Sequence, residues 1–268
     1  MPRIGRNDHT LFANQPFAAL ITGASSGLGA ALAEALARPG ATLHLGGRDV
    51  ARLESVAVAC RGRGAVVLPR AIAVTDAEAM AGWIDGSGRL DLVIANAGIS
   101  SGVDRSGIEP AAQARTVFDT NLLGALNTIL PAAAAMRAQA PGADGVRGRI
   151  AAIASIAAFL PAPVAPSYAA SKAALDSWML GHAGAWARHG VRLSSVCPGF
   201  IRSPMTARNR FPMPGLMDTD RAAALVLAGI ASGRRRVVFP RWLAAAGRMA
   251  DLLPPEWQAR VTGRGSKG

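Results

Sequence analysis

The chain has 268 residues, half of them hydrophobic, enough for one large α/β domain or two small ones with a sizeable core. Formal net charge is +12 and arginine supplies 27 of the 29 basic residues, yet no zinc-finger spacing or RNA-binding aromatic motif accompanies them, so a nucleic-acid partner is not expected. Two cysteines, Cys60 and Cys197, are too few for a secreted disulfide framework and point to a reducing, cytoplasmic setting.

Residues 1–15 read as a loose leader without the apolar segment of a signal peptide. The apolar run 17–22 reads as a buried strand, 23–29 as a glycine-rich turn, and the alanine-rich 30–38 as a helix stopped by Pro39-Gly40. A strand over 42–45 precedes a helix over 50–61. A third strand lies within 65–74, interrupted at Pro69, and Asp76 is placed to cap the third helix. Strand 92–95 closes on Asn96-Ala97-Gly98. A long helix over 114–139 contains Asn121, with Pro131 expected to kink it. After a polar loop over 141–148, strand 149–154 ends beside Ser155. The helix with Tyr168 and Lys172 runs to about residue 189, and strand 191–197 ends in Pro198-Gly199. Residues 200–217 are irregular, followed by a helix over 219–232, a strand over 236–239 and a helix over 242–253 with Trp242, Ala245, Met249 and Leu252 on one face. The uncharged stretch 150–171 has the length of a membrane span, but Pro161, Pro163 and Pro166 interrupt it, and a buried strand followed by a loop explains it better. Strand and helix alternate without linker or repeat. The expected architecture is one doubly wound domain over 16–240, a parallel sheet of about seven strands with helices on both faces, then a helix and basic tail over 241–268.

Two stretches carry chemistry. The first is Thr22-Gly23-Ala24-Ser25-Ser26-Gly27-Leu28-Gly29, between the first strand and helix. Glycines there let the backbone approach a diphosphate, and the helix N-terminus offers amide donors and the positive end of its dipole. At the end of the second strand, Leu45-Gly46-Gly47-Arg48-Asp49 puts glycine where an acid would accept hydrogen bonds from an adenosine ribose. The arginine beside it would pair with a 2′-phosphate. NADP(H) is therefore expected, with NAD(H) the alternative; Asp49 either competes for the ribose or caps the next helix. The second stretch is Tyr168-Ala169-Ala170-Ser171-Lys172, which holds the only tyrosine and one of two lysines. Residues four apart share a helix face, so a phenol and an ammonium stand side by side. The cation is expected to lower the tyrosine's pKa and make it a general acid/base.

Thr22-Gly-x-x-x-Gly-x-Gly, Asn96-Ala97-Gly98, Asn121, Ser155, Tyr168-x-x-x-Lys172 and Pro198-Gly199, in this order, resemble the short-chain dehydrogenase/reductase family over about residues 17–239. The resemblance implies a Rossmann-type fold, a nicotinamide dinucleotide, and hydride transfer to or from a small-molecule carbonyl or alcohol. It implies a cofactor pocket of Thr22, Gly23, Ser25, Ser26, Gly27, Leu28, Gly29, Arg48, Val74, Asn96, Ala97, Gly98, Tyr168, Lys172, Pro198, Gly199, Ile201 and Ser203. It also implies roles. Tyr168 gives and takes the proton, Lys172 binds the nicotinamide ribose and lowers the Tyr168 pKa, Ser155 holds the substrate oxygen, and Asn121 holds a water linking Lys172 to solvent. Members commonly form homodimers and homotetramers through the helices that carry Asn121 and Tyr168. The chain departs from the pattern twice. Ala73 stands where many members carry an acid for the adenine amine, leaving Val74 to pack on the ring. The threonine often found after Pro-Gly is matched only by Ser203 or Thr206, of which Ser203 is preferred.

Residues 200–217 are expected to cover the substrate. Phe200, Met205, Phe211, Met213 and Met217 would form an apolar wall, and Arg202, Arg208 and Arg210 would be available to a carboxylate or phosphate; packing and solvation are the plainer alternative. Residues 202–268 hold eleven arginines and Lys267 against four acids. Arg234, Arg235, Arg236, Arg241 and Arg248 would suit peripheral contact with an anionic membrane, although packing of the terminal helix on the domain is favoured. His44, His182 and His189 lack ligand spacing, and no metal is expected. Two rival readings are an epimerase or dehydratase of the extended branch, opposed by the glycine spacing, and a non-catalytic dinucleotide sensor, opposed by the complete set Asn121, Ser155, Tyr168 and Lys172.

Overall fold

Each apolar run of the sequence becomes a strand of one parallel sheet. The computed structural model describes residues 12, 15–103, 107–142, 144–209, 211–254 and 257. Strands β1 (Phe17–Thr22), β2 (Ala41–Gly47), β3 (Val66–Ala71), β4 (Leu92–Ala95), β5 (Gly148–Ile153), β6 (Val191–Pro198) and β7 (Arg236–Phe239) lie in the order 3-2-1-4-5-6-7. All six pairings are parallel. Strands β4 and β5 are buried along their whole length because helices cover both faces, which is why residues 92–95 and 150–153 read as unbroken apolar runs. Strand β3 is an edge, and Pro69 sits within it opposite Leu45. An edge strand tolerates a missing N–H, so the expected interruption does not occur; the strand instead ends at Ala71, short of Val74.

Helices α1 (Gly27–Leu36), α2 (Val50–Arg61) and α7 (Thr219–Ala231) cover one face, packing on Leu43, Leu45, Ile94 and Val196. Helices α3 (Ala77–Asp85), α5 (Gly124–Ala138) and α6 (Pro166–Ala187) cover the other, on Leu20, Val93, Ile150 and Leu193. A fully buried leucine or isoleucine such as Leu20 or Ile21 stabilises the fold by roughly 1.5–3 kcal/mol. This shell holds the strand ends, and with them the loops that follow, in fixed positions.

Three elements differ from expectation. The single long helix is divided into α4 (Ala111–Phe118), a π-helical turn (Asp119–Leu123) and α5, which continues through Pro131. In the wide turn the Gly124 N–H reaches back to the Asp119 carbonyl, and Asn121 sits inside it. The leader touches the domain at Phe12, which is buried and stacks on Phe17 with ring centroids 4.5 Å apart. Residues 1–11, 13 and 14 lie outside the described residues. The terminal helix α8 (Arg241–Asp251) packs through Ala244 near Phe159, with its predicted apolar face turned outward. Trp242 is 57%, Met249 71% and Leu252 85% exposed, so the expected packing of that face on the domain is reversed. Residues 258–268, the basic tail, lie outside the described residues. Among those described, no helix is long and apolar enough to cross a membrane.

Candidate active site

Between β1 and β4 the strand order turns back, and the loops at their C-terminal ends part to leave a crevice. A cleft of about 700 Å³ opens there. Gly23, Ser25, Ser26, Gly27, Leu28, Arg48, Val74, Asn96, Ala97, Gly98, Ser155, Tyr168, Lys172, Pro198, Gly199, Ile201 and Ser203 all line it. Of the residues predicted from sequence, Thr22, Gly29 and Asn121 do not; they stand behind the lining and shape it.

At one end is the glycine turn. Gly23 and Gly27 have φ of +65° and +58°, and a Cβ on Gly23 would lie 2.8 Å from the Ala97 Cα. A Cβ on Gly29 would lie 2.3 Å from the Gly23 carbonyl oxygen, so glycine alone lets α1 start this close to β1. Thr22 and Asn96 lock the β1 and β4 loops together. Thr22 Oγ1 accepts from the Asn96 and Ala97 amides at 3.1 and 3.2 Å, and Asn96 Nδ2 donates to the Thr22 and Gly23 carbonyls at 3.0 and 3.1 Å. Ser26, at the head of α1, makes no capping hydrogen bond, and the first turn holds no acid. Opening amides without a side-chain acceptor, on a turn that lacks Cβ atoms at Gly23, Gly27 and Gly29, fit a diphosphate.

Beyond the turn, Asp49 accepts from the Arg52 amide at 3.0 Å and from Arg52 Nε at 2.7 Å. These bonds, the backbone one foremost, hold its carboxyl below the usual range. Asp49 is thus the cap of α2, and the exposed Arg48 forms no ion pair among the described residues. Val74 is backed by Gly124, where a Cβ would come within 2.6 Å of its Cγ2.

At the other end are Ser155, Tyr168 and Lys172. Ser155 follows β5 and caps a 3₁₀ turn (Ile156–Phe159), its Oγ accepting from the Ala157 amide at 3.1 Å. Tyr168 lies in the first turn of α6, which Pro166 opens. Glu109, which sequence reading missed, holds that turn: its carboxylate accepts from the Ser167 amide at 3.1 Å and from the Ser167 hydroxyl. Lys172, one turn on, is buried and donates from Nζ to the Ile153 carbonyl at 2.7 Å. Its Nζ lies 5.9 Å from the centroid of the Tyr168 ring.

The expected lowering of the tyrosine pKa is not found in the chain by itself. Burial raises the Tyr168 phenol above its ordinary value, with a hydrogen bond to Ser155 opposing. Burial also pushes Lys172 down to about 8. Desolvation disfavours both charged forms and outweighs their mutual attraction across the distance that the Ile153 bond imposes.

Asn121 bonds reciprocally with Ile99, its Oδ1 accepting from the amide at 2.8 Å and its Nδ2 donating to the carbonyl at 2.9 Å. Nδ2 also donates to Ser171 Oγ at 3.1 Å, which ties the π turn to α6. A Cβ on Gly98 would touch Asn121 Oδ1 at 3.2 Å and Lys172 Nζ at 3.3 Å, so the two polar groups flank one space over this glycine.

In the loop over 200–217, Phe200 and Phe211 meet edge to face with centroids 5.9 Å apart, and Met205 lines the cleft. Thr206 Oγ1 donates to the Ile201 carbonyl at 2.6 Å, which leaves the Ser203 hydroxyl the freer of the two. Arg202 pairs with Asp218 at 2.9 Å and is not turned to a substrate anion. Arg210 and the side chain of Arg208 lie outside the described residues.

The family model described as short chain dehydrogenase matches residues 18–213. A Myxococcus xanthus protein described as an uncharacterized oxidoreductase is 37% identical over 240 residues, 88% of this chain and 92% of its own. The gluconate 5-dehydrogenase of Gluconobacter oxydans is 32% identical over 206 residues, 74% of this chain and 76% of its own. A short chain dehydrogenase/reductase of Burkholderia phymatum, solved in complex with NAD, superposes with a TM-score of 0.77 over 88% of this chain and 93% of that one, at 23% identity that speaks for the fold. On its sheet order, its glycine turn and these matches, the chain belongs to the short-chain dehydrogenase/reductase family of oxidoreductases.

Proposed function

We propose that this protein is an NADP(H)-dependent oxidoreductase acting on a carbonyl/alcohol pair, with Tyr168 as general acid/base. The observation that carries the reading is that Ser155, Tyr168 and Lys172 open on the same cleft as the glycine turn and Arg48. A bound nicotinamide supplies the hydride in reduction and takes it in oxidation. As hydride reaches the carbonyl carbon, negative charge grows on the oxygen, and donors aimed at that oxygen lower the barrier. Ser155 supplies one donor. The Tyr168 O–H supplies the second and gives up its proton. Lys172 holds the nicotinamide ribose. Refilling of Tyr168 from solvent is assigned to a water between Asn121 Oδ1 and Lys172 Nζ, supported by the space they flank over Gly98. Gly23, Ser25, Ser26, Gly27 and Leu28 would hold the diphosphate; Val74 the adenine; Asn96, Ala97, Gly98, Pro198, Gly199, Ile201 and Ser203 the nicotinamide side. Thr22 and Gly29 act from behind.

NADP(H) over NAD(H) rests on Arg48, free of ion pairs among the described residues at the mouth of the cleft, with Gly47 in place of an acid. Arg48→Ala is expected to lower kcat/KM for NADPH by roughly 10- to 100-fold, the worth of a charge-assisted hydrogen bond, and to leave that for NADH unchanged. The measurement is loss of reduced-cofactor absorbance with a panel of ketones and aldehydes. A wild type that uses NADH at least as efficiently would remove Arg48 from cofactor choice.

We also infer a homodimer or homotetramer, supported by the exposed Leu123 and Leu130 near Asn121, and peripheral contact of α8 with an anionic membrane. The latter is supported by the outward Trp242, Met249 and Leu252, by the exposed Arg241 and Arg248, and by Arg260, Arg264 and Lys267 further on. A cytoplasmic location is supported by the two free, buried thiols of Cys60 and Cys197. Sedimentation velocity, run alone and with phosphatidylserine or neutral vesicles, checks assembly and membrane contact together. A species heavier than the 27.4 kDa chain and salt-sensitive binding to the anionic vesicles are expected. A monomer contradicts the first, and equal or absent binding to the two vesicle types contradicts the second.

A further inference from the structure

We propose that Arg236 is a positioning residue for this reaction, its guanidinium joining the helix that carries Tyr168 and Lys172 to the turn that Ser155 opens. The inference rests on the oxidoreductase reading above. Arg236 stands in the run Arg234-Arg235-Arg236, which by sequence suits a solvated or membrane-facing surface. The structure separates the three. Arg234 and Arg235 are exposed, whereas Arg236 forks onto Asp176, Nε donating to Oδ1 at 3.1 Å and Nη2 to Oδ2.

Asp176 is buried on α6, one helical turn beyond Lys172. Its Oδ1 also accepts from Ser195 Oγ at 2.6 Å and from Cys197 Sγ at 3.4 Å, both on β6. The carboxylate therefore fixes the roll and height of α6 against β6 and β7. The same guanidinium lies 5.4 Å from the centroid of the Phe159 ring, the last residue of the turn that Ser155 caps. Arg248 of α8 lies 4.4 Å from that ring. Through Asp176 the cation sets the helix of the proton donor; through Phe159 it sets the turn of the second oxyanion donor. Ser155 and Tyr168 come from separate elements, the turn after β5 and the head of α6, so their spacing depends on such a cross-tie. Misplacement by about 1 Å can lower turnover ~10²-fold.

The test uses Arg236→Met, Arg236→Lys and the double variant Asp176→Leu/Arg236→Met, read by kcat, KM for NADPH, NADPH fluorescence titration and Tm. Arg236→Met leaves a buried carboxylate without its cation and should lower Tm and kcat together. The double variant removes both charges and should recover Tm. Its kcat should stay at least about 10-fold below wild type, with NADPH affinity within about twofold. Arg236→Lys keeps the charge but loses the fork onto Asp176, and should also lose kcat. Full kcat in the double variant or in Arg236→Lys would show a mere counter-ion and overturn the proposal. If the double variant does not fold, Phe159→Leu decides, since it leaves the ion pair and removes only the ring: a lowered kcat supports the cross-tie and a wild-type kcat overturns it. A wild type that reduces no carbonyl would overturn the oxidoreductase reading, and this one with it.

Discussion

Tyr168→Phe is expected to lower turnover by ~10²- to 10⁴-fold, the usual worth of a positioned general acid, while NADPH binds with nearly unchanged affinity. The phenylalanine keeps the ring against Lys172 and removes one oxygen, so the cleft is preserved. No second phenol exists to replace it, because Tyr168 is the only tyrosine in the chain. With the phenol raised above its ordinary pKa by burial, Tyr168 is protonated throughout the neutral range and ready to donate in the direction of reduction. Removing the proton for oxidation requires a cation brought closer than it stands in the free protein, or alkaline pH. Reduction should therefore hold its rate through neutral pH, and oxidation should gain rate as pH rises. A single tyrosine also makes the phenolate titration directly visible by difference absorbance. Near-normal turnover in Tyr168→Phe would take this residue out of the mechanism.

Lys172→Met is expected to abolish useful turnover and to raise the Tm of the cofactor-free protein near pH 7. The ammonium is buried and its folded pKa is pushed down from 10.5 to about 8. Between those two values the unfolded chain binds more protons than the folded one, so stability rises with pH across that window. Below pH 8 both states are protonated and the whole penalty of burying the charge is present, roughly 3 kcal/mol. Methionine removes that penalty. It also removes the charged donor to the buried Ile153 carbonyl, which costs about 1–3 kcal/mol. The remainder corresponds to a Tm gain of up to several degrees for a chain of this size. The gain should shrink as pH is raised through the window and vanish near its upper end. Thermal melts of both proteins from neutral to alkaline pH measure this. A variant that melts lower than wild type at pH 7 would mean that the Ile153 bond outweighs desolvation.

The parts of the site legible in the sequence are those whose geometry is local. Gly23 and Gly27 announce left-handed turns, Tyr168 and Lys172 share a helix face by spacing alone, and Asp49 and Asp76 accept from the amides three residues on. The sheet was legible for the same reason, since buried parallel strands read as short apolar runs. What was not legible depends on distant parts of the chain. Glu109 holds the head of α6 from 58 residues away, and Arg236 reaches Asp176 across 60. The π turn around Asn121 inserts a wider turn without disturbing the helical appearance of the sequence. The direction of the Tyr168 pKa failed because spacing shows that a cation is near but not that Ile153 holds it, nor how deeply both groups are buried. The outward face of α8 shows the same limit. An apolar stripe is visible in sequence, but which side of the helix meets the domain is set by Ala244 and the Phe159 turn.

The most direct measurement of the central claim is deuterium transfer from NADPH labelled at the nicotinamide C4, offered with the carbonyl panel and followed by mass spectrometry of the alcohols formed. Wild-type protein should place one deuterium on the carbinol carbon of at least one product, and Tyr168→Phe should place almost none in the same time. Label moved by Tyr168→Phe at the wild-type rate, or by wild type to no carbonyl at all, would contradict a cleft in which Ser155, Tyr168 and Lys172 work on one reacting oxygen.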